Sequence, residues 1–425
     1  MIQHNPKATR TLSIQAVVIS FITLFFPFTN ILPLFFPIQF LGKNAWLVLP
    51  IVVIAAMFVI SLFTEGKFVV FHTVDLGLLV IAVLGWLIHA ARGLAYTESR
   101  SILDLRYIIS SIIFLLAFKR IVEGAGNLES ITWAVLLTCL IQAILGILHA
   151  HFFSYININV EDLEFFFDAE RTREGGTLGA SIYANFIVCG MFLLVARKSN
   201  LSSIRYAVFE NVAILAMLYA ITLSGSRYPM ICAFLLTCIF LSKSLSNWRQ
   251  MAALFGLVAV ISYFFLANKE GLEFHSILRF SEDSGGRLDK LLLPLMLLSD
   301  RFIHFLIGAP SALIEATFSE DGLGISDNSY MLMSLQFGTV FAICWFTFFI
   351  HLLRRNALNR FSFLFMIYVL VGLGLTNGIL WEPWVFVAML VSTIIYHDAP
   401  AYRKIPATRV EAAIHLLEEV PQRLF

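Results

Sequence analysis

The chain has 425 residues, 59% hydrophobic and only 13% charged, with a net charge of +1. Soluble domains carry roughly 25% charged residues, so this composition excludes a water-soluble globule. So neutral a chain also offers no basic field to hold nucleic acid. The expected class is an all-α polytopic integral membrane protein, a single transmembrane domain over residues 1–425. The five cysteines fall inside apolar runs without metal-ligand spacing and read as small buried hydrophobes.

In chain order, Lys7 and Arg10 precede an apolar run over 12–41 that is interrupted by Pro27, Pro33 and Pro37. That run is either one kinked span with an interfacial piece or two short spans. Further runs follow at 45–63, 74–91, 107–122, 130–152, 178–196, 206–223, 228–246, 251–267, 329–353, 361–376 and 379–396. Counting the first run once predicts twelve transmembrane helices.

Lys67, Lys119, Arg120, Arg197, Lys198, Arg205, Lys243, Arg249, Arg354, Arg355 and Arg360 all fall in alternate short loops, which places those loops in the cytoplasm. Both termini are then cytoplasmic. The tail 399–425 carries a short helical pattern that suits either the membrane surface or a partner. The opposite side receives the stretch Arg92 to Arg106, the acidic loop 153–177 and a long loop over 268–328. Within that long loop, Leu288, Leu291, Leu292, Leu295, Leu298 and Phe302 fall mostly on one side, as in a helix lying on the membrane surface.

Several basic residues stand at extracytoplasmic ends of spans. Arg227 follows the Ser-Gly-Ser turn in "LSGSRYP", Arg287 follows "SGG" in the long loop, and Arg171 and Arg173 precede "EGGTLGASIYANF". Arginine forks match phosphate oxygens and stay charged beside lipid, so converging arginines suit a lipid-anchored pyrophosphate. Taken singly, each is equally served by snorkelling or by pairing with Glu170, Glu174 or Asp289. Asp327, in "SDNSY", is a candidate proton acceptor. Asn328 and Tyr330 beside it can hydrogen-bond sugar hydroxyls. The same letters also read as a helix start capped by Asp327 or Ser326. Glu210 is an intramembrane acid, and Arg205 is its nearest partner in sequence. His275 and His304 lack companions at metal-ligand spacing.

Four segments in order, "RTREGGTLGASIYANF", "LSGSRYP", "GGRLDKLLLPLMLLSDRFIHFLIGAP" and "SDNSYMLMSLQFG", resemble the O-antigen polymerase and ligase superfamily, the Wzy-type polysaccharide polymerases and WaaL-type ligases. The resemblance covers residues 170 to 350. It implies a membrane-embedded glycosyltransferase of the C-type architecture in the bacterial inner membrane. Such an enzyme inverts the anomeric centre, needs no metal or cofactor and uses an undecaprenyl-pyrophosphate-linked oligosaccharide as donor. Arg227 and Arg287 match the family's pyrophosphate-holding arginines. Arg171, Arg173, Lys290, Asn185, Asn328 and Tyr330 are the accompanying substrate-binding candidates. Asp327 stands where ligases carry a histidine, which leans the resemblance towards a polymerase joining repeat units of O-antigen, capsule or exopolysaccharide. The alternatives are a ligase passing glycan to lipid A core and, from another class, a transporter for lipid-linked sugars. Membrane lipid, a chain-length regulator and a flippase are the implied partners.

Overall fold

The computed structural model describes residues 14–29, 39–40, 43–64, 73–96, 128–152, 180–197, 204–244, 294–310, 328–356, 360–375 and 382–398, with Leu32, Phe114, Phe118, Leu313 and Ile314 as single positions. Nearly all of it is helix. The helices are α1 (Ile14–Phe25), α2 (Ala45–Thr64), α3 (Thr73–Tyr96), α4 (Leu128–Phe152), α5 (Ala180–Arg197), α6 (Ile204–Leu223), α7 (Arg227–Ser244), α8 (Phe302–Ile307), α9 (Ser329–Phe337), α10 (Thr339–Asn356), α11 (Arg360–Leu375) and α12 (Glu382–Asp398). The predicted runs at 107–122 and 251–267, the loop 153–177 and the tail 399–425 lie outside the described residues, apart from Phe114 and Phe118.

The apolar runs become helices because a backbone held away from water must bond to itself. Among the described residues, Leu128–His151 is the one stretch both long and apolar enough to cross a membrane unaided. Shorter apolar helices include Ile182–Ala196, Phe361–Gly374 and Trp384–Ile395. Two of them form the centre. Every residue of α5 from Ile182 to Val195 is buried, as is every residue of α12 from Trp384 to Ile395, and the two pack on each other. The outer helices bury one face and expose an apolar one. On α11 the exposed stripe is Phe363, Leu364, Ile367 and Val371, and on α7 it is Ile231, Phe234 and Leu235. Stripes of this kind, repeated around the bundle, are the exterior of a protein with an apolar surrounding rather than an aqueous one.

Side-chain pairs give the helix directions. Trp133 meets Phe209 and His151 meets Tyr219, so α4 and α6 run parallel. Cys139 bonds to the Phe186 carbonyl while Tyr183 bonds to that of Ala143, so α5 runs against α4. Phe192 packs on Phe361 and Phe365 while Asn185 meets Tyr368, so α11 runs against α5. The C-terminal ends of α4, α6 and α11 and the N-terminal ends of α5 and α7 therefore share one side. These directions agree with alternating spans in this part of the chain.

The first run breaks at its first proline, in keeping with the kinked or divided run expected. Helix α1 stops at Phe25, a 3-10 turn follows over Phe26–Phe28 with Pro27 inside it, and Thr29 closes the turn by donating to the Phe26 carbonyl. Several expectations change. A two-residue antiparallel pairing, Gln39–Phe40 with Lys43–Asn44, adds a small β element to an otherwise helical chain. Helix α3 runs on to Tyr96, so Arg92 belongs to a helix and not to a loop. The expected surface helix is broken. Residues 294–300 are helical, Arg301 is extended (φ −139°, ψ 135°), and α8 is a separate piece. Leu298 packs with Ala309, Ile314 and Leu335, whereas Leu295 and Phe302 are exposed. Of the five cysteines, Cys139 and Cys189 are buried, Cys232 is half-buried, and Cys238 and Cys344 lie exposed on helix faces.

The largest change concerns the run 329–353, which is not one span. Gly338 takes φ +93° between α9 and α10, and the Tyr330 ring lies 4.3 Å from that of Phe346. In a continuous helix those residues would be about 24 Å apart, beyond the reach of two side chains. The chain folds back on itself at Gly338 into a helical hairpin. Tyr330 is level with the eighth residue of α10, so α9 begins about 12 Å below the Gly338 end, near the middle of α10.

Candidate functional site

Helix α7 starts from a tight turn. Ser224 bonds back to the Ile221 carbonyl (2.6 Å), Gly225 takes φ +61°, and the Ser226 amide donates to the Ser224 hydroxyl (3.2 Å). The Ser226 carbonyl accepts from Met230, which makes Ser226 the cap and Arg227 the first helical residue. Pro229 follows in the first turn, where its missing N–H breaks no helical bond. Tyr228 stacks on Tyr368 at 5.6 Å and donates its hydroxyl to the Tyr368 carbonyl at 2.6 Å. The start of α7 is thereby tied to α11.

Helix α9 starts on Asn328. Its Oδ1 accepts from the amides of Tyr330 (2.9 Å) and Met331 (3.2 Å), so the cap is Asn328, in place of the Asp327 or Ser326 expected from the letters. Tyr330 donates its hydroxyl to the Leu370 carbonyl at 2.6 Å, and Gly374 leaves room for its ring. Tyr330 therefore acts as a tether to α11, and its hydroxyl is committed there.

Helix α5 supplies Asn185, which is 2% exposed. Tyr368 donates its hydroxyl to Asn185 Oδ1 at 2.7 Å and lies 3.0 Å from the Asn185 carbonyl. One turn of α11, Tyr368 to Leu370, thus gathers α5, α7 and α9. Four sequence candidates are brought to it: Asn185, Arg227, Asn328 and Tyr330. The backbone of Arg227 is described but not its side chain. Arg171, Arg173, Arg287, Lys290 and Asp327 lie outside the described residues, Asp327 by a single position.

The electrostatics of this junction are unbalanced. The first turn of α7 presents amides without helical acceptors, the positive end of its dipole, whereas in α9 the amides of Tyr330 and Met331 are taken up by Asn328 Oδ1 and that of Leu332 by the Asn328 carbonyl. Neither first turn contains an acidic residue. Helix α7 instead opens with an arginine, the wrong sign for its own dipole. The open first turn of α7, with an arginine at its first position, is the end of this junction suited to an anion.

Sequence reasoning did not single out Tyr228, Tyr368 or Arg92. Tyr228 was legible beside Arg227 in "SRYP". Tyr368 sits unmarked in an apolar run, and its partner is 183 residues away. Comparisons of the chain with models of known protein families, with curated proteins and with solved structures found no match. The class defined by fold and site is a helical protein of membrane-type apolarity in which the N-terminal turns of α7 and α9 meet on α11.

Proposed function

We propose that this protein is a membrane glycosyltransferase of about twelve spans that joins undecaprenyl-pyrophosphate-linked oligosaccharide repeat units into a polysaccharide at the outer face of the inner membrane. The observation that carries the reading is the meeting of the α7 and α9 N-termini on Tyr368–Leu370, with Arg227 at one of them and no acid in either first turn. The ordered resemblance of residues 170 to 350 to the Wzy-type polymerases supplies the reaction class.

A sugar hydroxyl of the acceptor attacks the anomeric carbon of the donor. The new glycosidic bond forms as the bond from that carbon to the pyrophosphate oxygen breaks, with inversion. The electron pair leaves with the pyrophosphate, and the hydroxyl proton passes to the Asp327 carboxylate. Negative charge grows on the leaving group. The amides of α7, with Arg227 and Arg287, stabilise it without a metal. Asn328 fixes where α9 begins; Arg171, Arg173 and Lys290 add cations along the donor.

The test is chain length of surface glycan in cells that make the donor. Arg227→Ala and Asp327→Asn, each with membrane levels of the protein unchanged, should reduce the product to single repeat units. Wild-type chain lengths in both variants would overturn the proposal. A deletion strain with single units on core lipid indicates a polymerase, whereas polymer stranded on the lipid carrier indicates a ligase.

The helical hairpin at Gly338 favours a second reading. Interrupted helices with ends inside the bundle are how secondary transporters hold anionic substrates. Under that reading the same junction binds the pyrophosphate head group for translocation. Vesicles containing the purified protein would then move lipid-linked oligosaccharide across the bilayer without lengthening it.

A further inference from the structure

Arg92 is the one charged side chain among the buried polar residues described, at 1% exposure, and nothing above assigns it a role. It lies in the last two turns of α3 and donates from Nη1 to the carbonyl of Gln336, in the last turn of α9. That turn is where α9 meets α8. Gly308 closes α8 with φ +84° and Gly338 closes α9 with φ +93°. The two ends touch through backbone: the Ala309 amide donates to the Leu335 carbonyl at 2.7 Å, and a Cβ on Gly338 would run into the Leu306 carbonyl.

Two helix C-termini in contact bring together roughly −0.5 charge each. Helix α8 carries His304 in its last turn, Nδ1 3.1 Å from the Leu297 carbonyl, whereas α9 has no basic residue in its last turn. Arg92 supplies from α3 the cation that α9 lacks. Around it stand Tyr96 of α3, whose ring lies 6.1 Å from that of the buried His304, and Gln336 itself. The joint lies at one end of α9, and Asn328, next to Asp327, lies at the other.

We propose that Arg92 is a positioning residue: its guanidinium locks the last turn of α9 against α3 and α8, and so fixes the depth and tilt at which α9 presents its first turn to the site. This rests on the glycosyl-transfer reading for its activity readout, and on the joint alone for its structural one.

The test uses the full chain in lipid nanodiscs, comparing Arg92→Gln, Arg92→Lys and, as a control, Arg227→Ala. Two quantities are followed, hydrogen exchange of residues 329–337 and turnover of undecaprenyl-pyrophosphate-linked repeat units. Arg92→Gln should speed exchange of 329–337 about tenfold or more while α4, α5 and α12 keep their protection. Turnover should fall about tenfold with the KM for donor within about twofold, because binding groups stay and alignment is lost. Arg92→Lys, which keeps the charge but not the fork, should restore at least about a third of the turnover.

Unchanged exchange over 329–337 overturns the proposal, and so does a loosened α9 with wild-type turnover. If Arg92→Gln does not fold, Arg92→Lys decides: faster exchange in 329–337 with lowered turnover supports the positioning role. Lower yield with wild-type turnover per molecule refutes it. No turnover of the repeat units by the unsubstituted chain would sink the enzymatic reading separately, leaving exchange to judge the joint; wild-type turnover in Arg227→Ala would remove only the role given to Arg227.

Discussion

Gly338→Ala tests the hairpin on which the position of α9 depends. At φ +93° and ψ +148° the backbone is in a region essentially reserved for glycine, which costs an L-residue about 1–3 kcal/mol. The added Cβ would also lie 2.5 Å from the Leu306 carbonyl carbon and closer still to its oxygen. Those atoms are backbone and cannot rotate away, so α8 and α9 must separate. Separation breaks the 2.7 Å bond from the Ala309 amide to the Leu335 carbonyl, and a buried N–H left without a partner costs about 1–3 kcal/mol. The two terms together predict a loss of about 2–6 kcal/mol. Gly372→Ala is the matched control, because its Cβ would meet Tyr228 and Trp384 at 3.4 Å or more, ordinary contact distances. In the last turn of α11 that change should be neutral or stabilising by up to about 1 kcal/mol. The assay is reversible unfolding in mixed micelles by titration with sodium dodecyl sulfate, followed by tryptophan fluorescence. A Gly338→Ala loss below about 1 kcal/mol, or a larger loss in Gly372→Ala, would refute the hairpin argument.

Three further outcomes are expected in the same assay. Asn328→Ala removes the cap of α9 and should cost about 1 kcal/mol, whereas Asn328→Ser should retain most of the stability; equal losses would show that the two amide bonds to Oδ1 are not what holds the helix start. Tyr368→Phe leaves the buried Asn185 oxygen without its 2.7 Å donor and should cost about 1–3 kcal/mol, so wild-type stability would mean that α5 and α11 are not joined there. Gly190→Ala would place a Cβ 2.6 Å from the Cys139 Cβ and 2.8 Å from its sulfur, overpacking the contact between α4 and α5 by about 1–3 kcal/mol; an unaltered unfolding curve would contradict that close approach.

Proline and glycine show where local chemistry suffices and where it does not. Pro27 ends α1 because a missing N–H and a fixed φ act on the residues beside it, so the break was legible in the letters. The turn at Gly225 was legible for the same kind of reason, in a run of Ser and Gly between two apolar stretches. Gly338 sits in "LQFGTVFAICW" with nothing beside it to announce a reversal. Its conformation follows from the carbonyl of Leu306, 32 positions earlier, which leaves no space for a side chain. A reading of 329–353 as one span was therefore the natural one and was incorrect.

The sequence by itself determined that the chain is helical and apolar. In an environment without water each backbone amide must bond within its own segment, and apolar runs carry that instruction locally. It also marked Arg227, Asn328 and Tyr330, because polar letters at the ends of apolar runs are conspicuous, and Asn185 through the family resemblance. Only the tertiary structure decided that these four meet on one turn of α11, that Tyr330 tethers a helix, that Asn328 is the cap, and that Arg92 is buried against the end of α9. Those facts depend on which helix ends lie side by side. Partners such as Arg92 and Gln336, 244 residues apart, are set by packing between helices and leave no periodicity in either segment.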